Sequence, residues 1–356
     1  MKIRRIKKTF AFAIFIFLLS AFSSIFCEEG NPLDQMIARI LKQDALEGEK
    51  AEYFKKLTPL LFDYFKKIRG EEKLEPLYQA QSVKELGQLI EKQLGKSVIE
   101  FGEEMFAFFE QEAAKNENIK SEWAFFPSEH FFFLAHPGSA AEAEIEFIQK
   151  SAEGAFSAIL SSLDIEKEVK SCLDILHINL PEKKRVDESL PQGKIVVSLH
   201  QIRDEESSKR IKRPSLGSMN FGATILPEEG KEKGQGRLTA NIDILYFNAF
   251  SLAVLHHEIA HALLFLGSFN PGPLREKPLK GESDLRKAFF AGYIPISPFL
   301  HEGIGDYVIY YHNFYKFWPV LPEPEKIVQT FLAKPSYIPL ERLIKEDRAF
   351  SLKHHK

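Results

Sequence analysis

His257 and His261 stand four residues apart in the run Leu255-His256-His257-Glu258-Ile259-Ala260-His261-Ala262. On a helix that spacing puts the two imidazoles on one face, one turn apart. So placed they can grip one Zn²⁺, with Glu258 beside it as a general base. With 11 His and 39 Glu among 356 residues, a chance H-E-x-x-H is expected roughly 0.04 times. The setting sharpens the signal. Asn248 to Gly267 is apolar nearly all round and predicts a buried helix, with Asn248 as its cap and Gly267 as its terminator. Three polar side chains inside such a helix are costly unless they have partners, and a metal is such a partner. His256 points off the metal-facing side.

A catalytic zinc takes a third protein ligand and leaves its fourth place to water. The H-E-x-x-H-x-x-G-x-x-H arrangement is excluded, since Leu264 stands where its Gly would be and Gly267 where its third His would be. A Glu from a following helix is the other common solution, and the stretch from Pro298 to Tyr311 offers Glu302. Pro298 suits a first helical turn. Glu302 and Asp306 are four apart, so Glu302 can bind the metal while Asp306 holds a ligating imidazole by its other N–H. His301 and Asp306 are the fallback ligands. Gly303 and Gly305 weaken a helix, and we expect them to let it approach the zinc helix closely. His130, His136, His177, His200, His354 and His355 lack ligand spacing and are expected to be structural or surface residues.

The run from His257 to His261, followed by Glu302-Gly303-Ile304-Gly305-Asp306-Tyr307, resembles the gluzincin metallopeptidases. That peptidase-MA-like group includes thermolysin and the zinc aminopeptidases. The resemblance extends back through the stretch from Lys194 to Leu199 and covers roughly residues 125–345. It implies a zincin-like α+β catalytic domain, a small sheet plus active-site helices. It also implies the ligand set His257, His261 and Glu302 on Zn²⁺, Glu258 as base, Asp306 in support, and hydrolysis of peptide bonds in protein or peptide substrates. Endo- or exopeptidase action stays open. Ile338-Pro339-Leu340-Glu341-Arg342-Leu343 is similar to a segment that often follows the glutamate helix in such proteins. There are departures. His261 and Glu302 are 41 positions apart, so a loop from about Ser268 to Pro298 is inserted beside the site. Many relatives continue past Leu343 with helices that shape the cleft and can carry the Tyr or His that steadies the oxyanion. Tyr310, Tyr311, His312 and Tyr337 are the candidates here. Gly217-Ser218-Met219-Asn220-Phe221-Gly222 faintly resembles the Gly-x-Met-Glu-Asn loop of the aminopeptidases but lacks its acid.

Several elements must position this site. Residues 31–120 predict an all-helical accessory region, with apolar residues at helical spacing in Leu33, Met36, Ile37, Ile40, Leu41 and again in Leu57, Leu60, Leu61, Tyr64, Phe65. Asn31-Pro32 is a fitting helix start. From about Phe125 the pattern changes. Phe131 to His136 predicts a strand closed by Pro137-Gly138, and a helix follows over roughly Ala140 to Leu163. Lys194 to His200 predicts a second strand and Gly222 to Leu226 a third. Leu238 to Ile244 alternates apolar with Thr239, Asn241 and Asp243, a half-buried fourth strand. Pro227 to Gly236 is a charged loop. A substrate would lie extended along an edge strand, Gly222 to Leu226 or Leu238 to Ile244. The fold class is α+β, a catalytic domain over 125–356 preceded by the helical region.

Lys2, Arg4, Arg5, Lys7 and Lys8 precede an apolar run from Phe10 that thins toward Cys27, the pattern of a signal peptide over 1–27. Cys27 offers a lipid anchor, though bulky Phe26 before it is unusual. The expected setting is exported: periplasmic, cell-envelope or secreted, with membrane attachment only through the N-terminus. Without those five basic residues the chain carries 42 basic and 50 acidic groups, net −8. An acidic balance argues against a nucleic-acid partner. Apolar residues make up 44%, which excludes a disordered chain. Two cysteines give no disulfide framework, and Cys172 is expected to stay unpaired. Two competing classes remain: a non-catalytic binding or adhesion protein that keeps zinc for stability, and an envelope assembly factor that acts by contact. An intact Glu258 speaks against both, since a structural site has no use for a base and fills all four positions with protein ligands.

Overall fold

The computed structural model describes residues 31–305 except 96–97, 117, 121, 179–191, 202–215, 228–233, 295, 297–300 and 302. The signal peptide, Pro298, Glu302, Asp306, Tyr310, Tyr311, His312, Tyr337 and the Ile338 to Leu343 segment lie outside the described residues.

The N-terminal half of the fold follows from helical periodicity and capping. Asn31 accepts a hydrogen bond from the Leu33 N–H at 3.1 Å and Pro32 takes the first turn, so α1 runs Pro32–Gln43. Then come α2 (Gly48–Arg69), α3 (Glu75–Tyr78), α4 (Val83–Leu94) and α5 (Val98–Ala113). Ser82 caps α4 by accepting from the Glu85 N–H, and Gly95 closes it in a left-handed turn. The apolar stripes of these helices meet in a core that includes Met36, Ile40, Phe54, Leu61, Phe65, Leu77 and Leu86.

The strands make one five-stranded sheet. They are β1 (Ala124–Pro127), β2 (Phe131–Ala135), β3 (Ile195–His200), β4 (Gly217–Pro227) and β5 (Gly234–Leu245). Their order is β1-β2-β3-β5-β4, with β2, β3 and β5 parallel and the two outer strands antiparallel to their neighbours. Helices α6 (Ala140–Ala143), α7 (Ile145–Leu163) and α8 (Glu166–Leu173) cross over between β2 and β3, since two parallel neighbours need such a connection. After β5 come α9 (Leu252–Ser268), α10 (Gly272–Arg275) and α11 (Glu282–Gly292).

Alternation sorts the sheet into two faces. Phe131, Phe133, Val197, Leu199, Ala240, Ile242 and Ile244 join the main core with α7 and α9. Phe132, Leu134 and Val196 form a smaller core on the other face with Ile178 and Trp123. The main core is continuous with that of the N-terminal helices. Phe109 of α5 stacks on Phe250, just before α9, with ring centroids 5.7 Å apart.

Several expectations change. The helix over Ala140 to Leu163 is broken at Glu144, so it is two. β4 begins at Gly217, five residues before the expected strand, so the segment compared with an aminopeptidase loop is strand. β1 was not expected at all. β5 is interior, which removes Leu238 to Ile244 as the substrate edge, while β4 is an outer strand. Thr239 and Asp243 are buried, not half-exposed, and Asp243 meets His200 of β3 at 3.2 Å. Gly267 does not end its helix, which runs to Ser268 and stops at an extended Phe269. A Cβ at Gly267 would stand 3.0 Å from the Ile165 side chain, so glycine there permits a close approach of the chain entering α8. The inserted segment after Ser268 is not merely loop, since it holds α10 and α11. Cys172 is a buried free thiol whose Sγ meets the Phe269 carbonyl at 3.4 Å, and burial pushes its pKa up to about 11.

Candidate metal centre

The metal-facing helix is built from its start. Asn248 accepts from the Phe250 N–H at 3.0 Å, and Ser251 Oγ accepts from the Phe247 N–H at 3.0 Å. These bonds shape a short 3₁₀ turn, Ala249–Ser251, that leads straight into α9. α9 is apolar enough and, with that turn, long enough to cross a bilayer, yet most of it is buried inside the protein. Its surroundings are α7, α8, β4 and β5.

His257 and His261 do share one face. Their Nε2 atoms are 2.7 Å apart, and the rings meet edge to face with centroids 4.3 Å apart. Two Zn–N bonds of about 2.05 Å at a tetrahedral angle would set the nitrogens about 3.3 Å apart. The pair therefore needs to open by about 0.6 Å to admit a zinc ion, a small swing of two side chains. Burial, then the neighbouring imidazoles of His257 and His301, lower the His261 pKa to about 3. The ring is thus neutral at pH 7, the state in which imidazole binds metal. The donor types, the convergence of the two Nε2 atoms and the neutrality of His261 fit a zinc ion.

The segment around Glu302 comes to the same place. His301 and Gly303 to Gly305 are helical. His301 stacks on His261, with centroids 4.0 Å apart and planes within 2°. Gly305 is buried against the rings of both candidate ligands, His257 and His261. A Cβ there would sit 3.0 Å from His257 Cε1, 3.1 Å from His257 Nδ1 and 3.2 Å from His261 Cε1. The expectation for the glycines thus holds for Gly305. It does not hold for Gly303, where a Cβ would meet nothing within 4 Å.

Glu258 is buried at the start of β4. A Cβ at Gly217 would press on Glu258 Cγ at 3.0 Å, Val254 Cγ1 at 2.7 Å and Ile244 Cδ1 at 2.8 Å. Glycine at 217 lets the outer strand lie close against the Glu258 side chain. One turn beyond His261, Phe265 stacks on Phe221 of β4 at 3.6 Å and on Tyr293 at 5.7 Å. The inserted segment therefore packs an aromatic wall along the far end of the metal helix.

Two clusters that the spacing of histidines did not reveal lie elsewhere. His130 Nδ1 is 2.7 Å from Glu153, which also accepts from the His130 N–H and from Ser128. Burial raises the Glu153 pKa, and these hydrogen bonds together outweigh it, so the carboxyl lies below its usual range. With exposed Glu129 the trio places ligand-type atoms within 4.8 Å of one another. His200, paired with Asp243, has Trp123 edge-on at 5.2 Å, and Trp123 stacks on His136 at 3.8 Å. Their partners lie far along the chain, so no local pattern could have exposed them.

No protein-family model, no curated protein and no solved structure matches the chain.

Proposed function

We propose that the protein is a zinc-dependent peptidase of the gluzincin kind. The observation that carries this reading is the convergence of His257 and His261 Nε2 atoms within 2.7 Å, with Gly305 against both rings. That packing brings the neighbours of Glu302 to the two histidines, as a third ligand from that segment requires. Zinc bound there would lower the pKa of a water to about 7 and polarise a carbonyl. His257 and His261 would hold the ion, Glu302 would complete the protein ligands, and Asp306 would orient an imidazole. Glu258 takes the proton of the attacking water and passes it to the leaving nitrogen. The outer edge of β4 carries backbone groups able to pair with an extended peptide, and Gly217 brings the start of that strand against the Glu258 side chain.

The test is cleavage of a mixed peptide library by the zinc-loaded protein and by Glu258→Gln, read by mass spectrometry. Cleavage by the wild type and not by the variant, with zinc retained in both, is the expected result. Zinc binding without cleavage in either would overturn the catalytic reading in favour of a zinc-bearing binding protein.

A further inference from the structure

A buried chain of hydrogen bonds links the N-terminal helices to the metal helix. Tyr53 of α2 donates its hydroxyl to Ser151 Oγ of α7 at 2.7 Å. Ser151 Oγ lies 2.8 Å from His256 Nε2 of α9. All three residues are at least 97% buried. Burial pushes the Tyr53 pKa well above the usual phenol range, so the group is a neutral donor at any working pH. A serine hydroxyl has one proton. It also accepts through two lone pairs, so Ser151 Oγ bridges the Tyr53 hydroxyl and His256 Nε2 whichever of Ser151 and His256 donates.

The residue at the end of this chain is the one before His257. Most other contacts of α9 are apolar: Leu255, Ile259, Ala262, Leu263 and Leu266 are all buried in the core. Apolar burial is non-directional and tolerates a small rotation of the helix about its axis. A ring nitrogen stands about 5–6 Å from that axis, so a turn of about 5° moves it about half an ångström. Half an ångström is about the tolerance of a working site. The hydrogen bond between Ser151 and His256 is directional and resists that rotation. We propose that Tyr53 and Ser151 are positioning residues of the metal centre, which set the rotation of α9 through His256. This rests on the zinc reading above, and it makes α2 a working part of the site and not a separable accessory.

The experiment uses the full chain as wild type, Tyr53→Phe, Ser151→Ala and Ser151→Thr. Zinc affinity is measured by competition with a chromophoric chelator. The coordination geometry is read from the visible spectrum of the cobalt-substituted protein, and the His256 proton position from ¹⁵N NMR of the metal-free protein. Tyr53→Phe and Ser151→Ala are expected to weaken zinc about tenfold, in the range of lost outer-sphere support. They should also alter the cobalt spectrum and shift the His256 nitrogen resonances. Ser151→Thr restores a hydroxyl and is expected to lie within twofold of wild type. A purely structural role for the chain would lower Tm and leave the cobalt spectrum untouched. That result, or equal zinc affinity in wild type, Tyr53→Phe and Ser151→Ala, would overturn the proposal alone. Failure of the wild type to bind zinc would overturn it together with the zinc reading.

Discussion

Replacing Gly305 by alanine puts one methyl group against the two candidate ligand rings. The added carbon would stand 3.0 Å from His257 Cε1 and 3.2 Å from His261 Cε1. Carbon atoms settle at about 3.5–4.0 Å, so at least about half an ångström must be relieved at His257 and about 0.3 Å at His261. Without metal the rings can swing aside at modest cost. With metal they are fixed by bonds of about 2.05 Å and cannot, so the penalty falls on the bound state. Overpacking of this kind costs about 1–3 kcal/mol, and each 1.4 kcal/mol is about tenfold in affinity. Gly305→Ala is therefore expected to weaken zinc about 5- to 100-fold, measured by chelator competition, while the metal-free Tm falls little. The internal control is Gly303→Ala, where the methyl meets open space. It should leave zinc affinity unchanged and stabilise the helix by about 0.5–1 kcal/mol. Equal zinc affinity in wild type and Gly305→Ala would refute the close approach on which the third ligand depends.

Two further outcomes follow from the packing around α9. His261 titrates at about 3 when folded against about 6.5 when unfolded, so below pH 6.5 the unfolded chain takes up a proton that the folded one refuses. The metal-free protein should then lose stability steadily as pH falls from 6.5 toward 3, by about 1 kcal/mol or more per unit from this group. Urea unfolding at several pH values checks this, and an equal slope in His261→Asn would refute it. Phe265 is the hub of the aromatic wall, touching Phe221, Phe269, Phe289 and Tyr293. Phe265→Ala should cost about 3–5 kcal/mol in urea unfolding, and a loss below about 1 kcal/mol would show that the inserted segment is not anchored there.

What could be read in the sequence was local. The stripes of α1 and α2, the Asn31-Pro32 start, the all-apolar run of β2 and the metal helix each carry their signal within a dozen residues or so. The first half of β4 hid because Gly217, Ser218 and Asn220 break the apolar alternation that marks a strand, and its form is set by pairing with β5 along eleven residues. β1 is four residues long and exists through its register with β2. Asp243 carries the polar half of a clean alternation, yet it is buried because His200 on the neighbouring strand gives it a partner. Gly267 has the position of a helix terminator and is in fact a contact surface for Ile165. His256 looked like a bystander to the motif because Ser151, which meets it, lies 105 positions earlier in the chain.

That long separation also bears on when the site can form. Tyr53 and Ser151 are 98 positions apart, Ser151 and His256 are 105 apart, and β3 waits for β5 from beyond β4 to complete its pairing. Contacts this distant must close large loops before they return any stabilisation, which slows folding. During synthesis the helices of residues 32–113 emerge before the sheet, with part of their docking surface still unmade. The two histidines emerge later, and Gly305 later still. No nascent fragment that stops short of residue 305 contains the packing of Gly305 against the His257 and His261 rings, so the candidate centre waits for a residue 41 or more positions beyond the two histidines to be made.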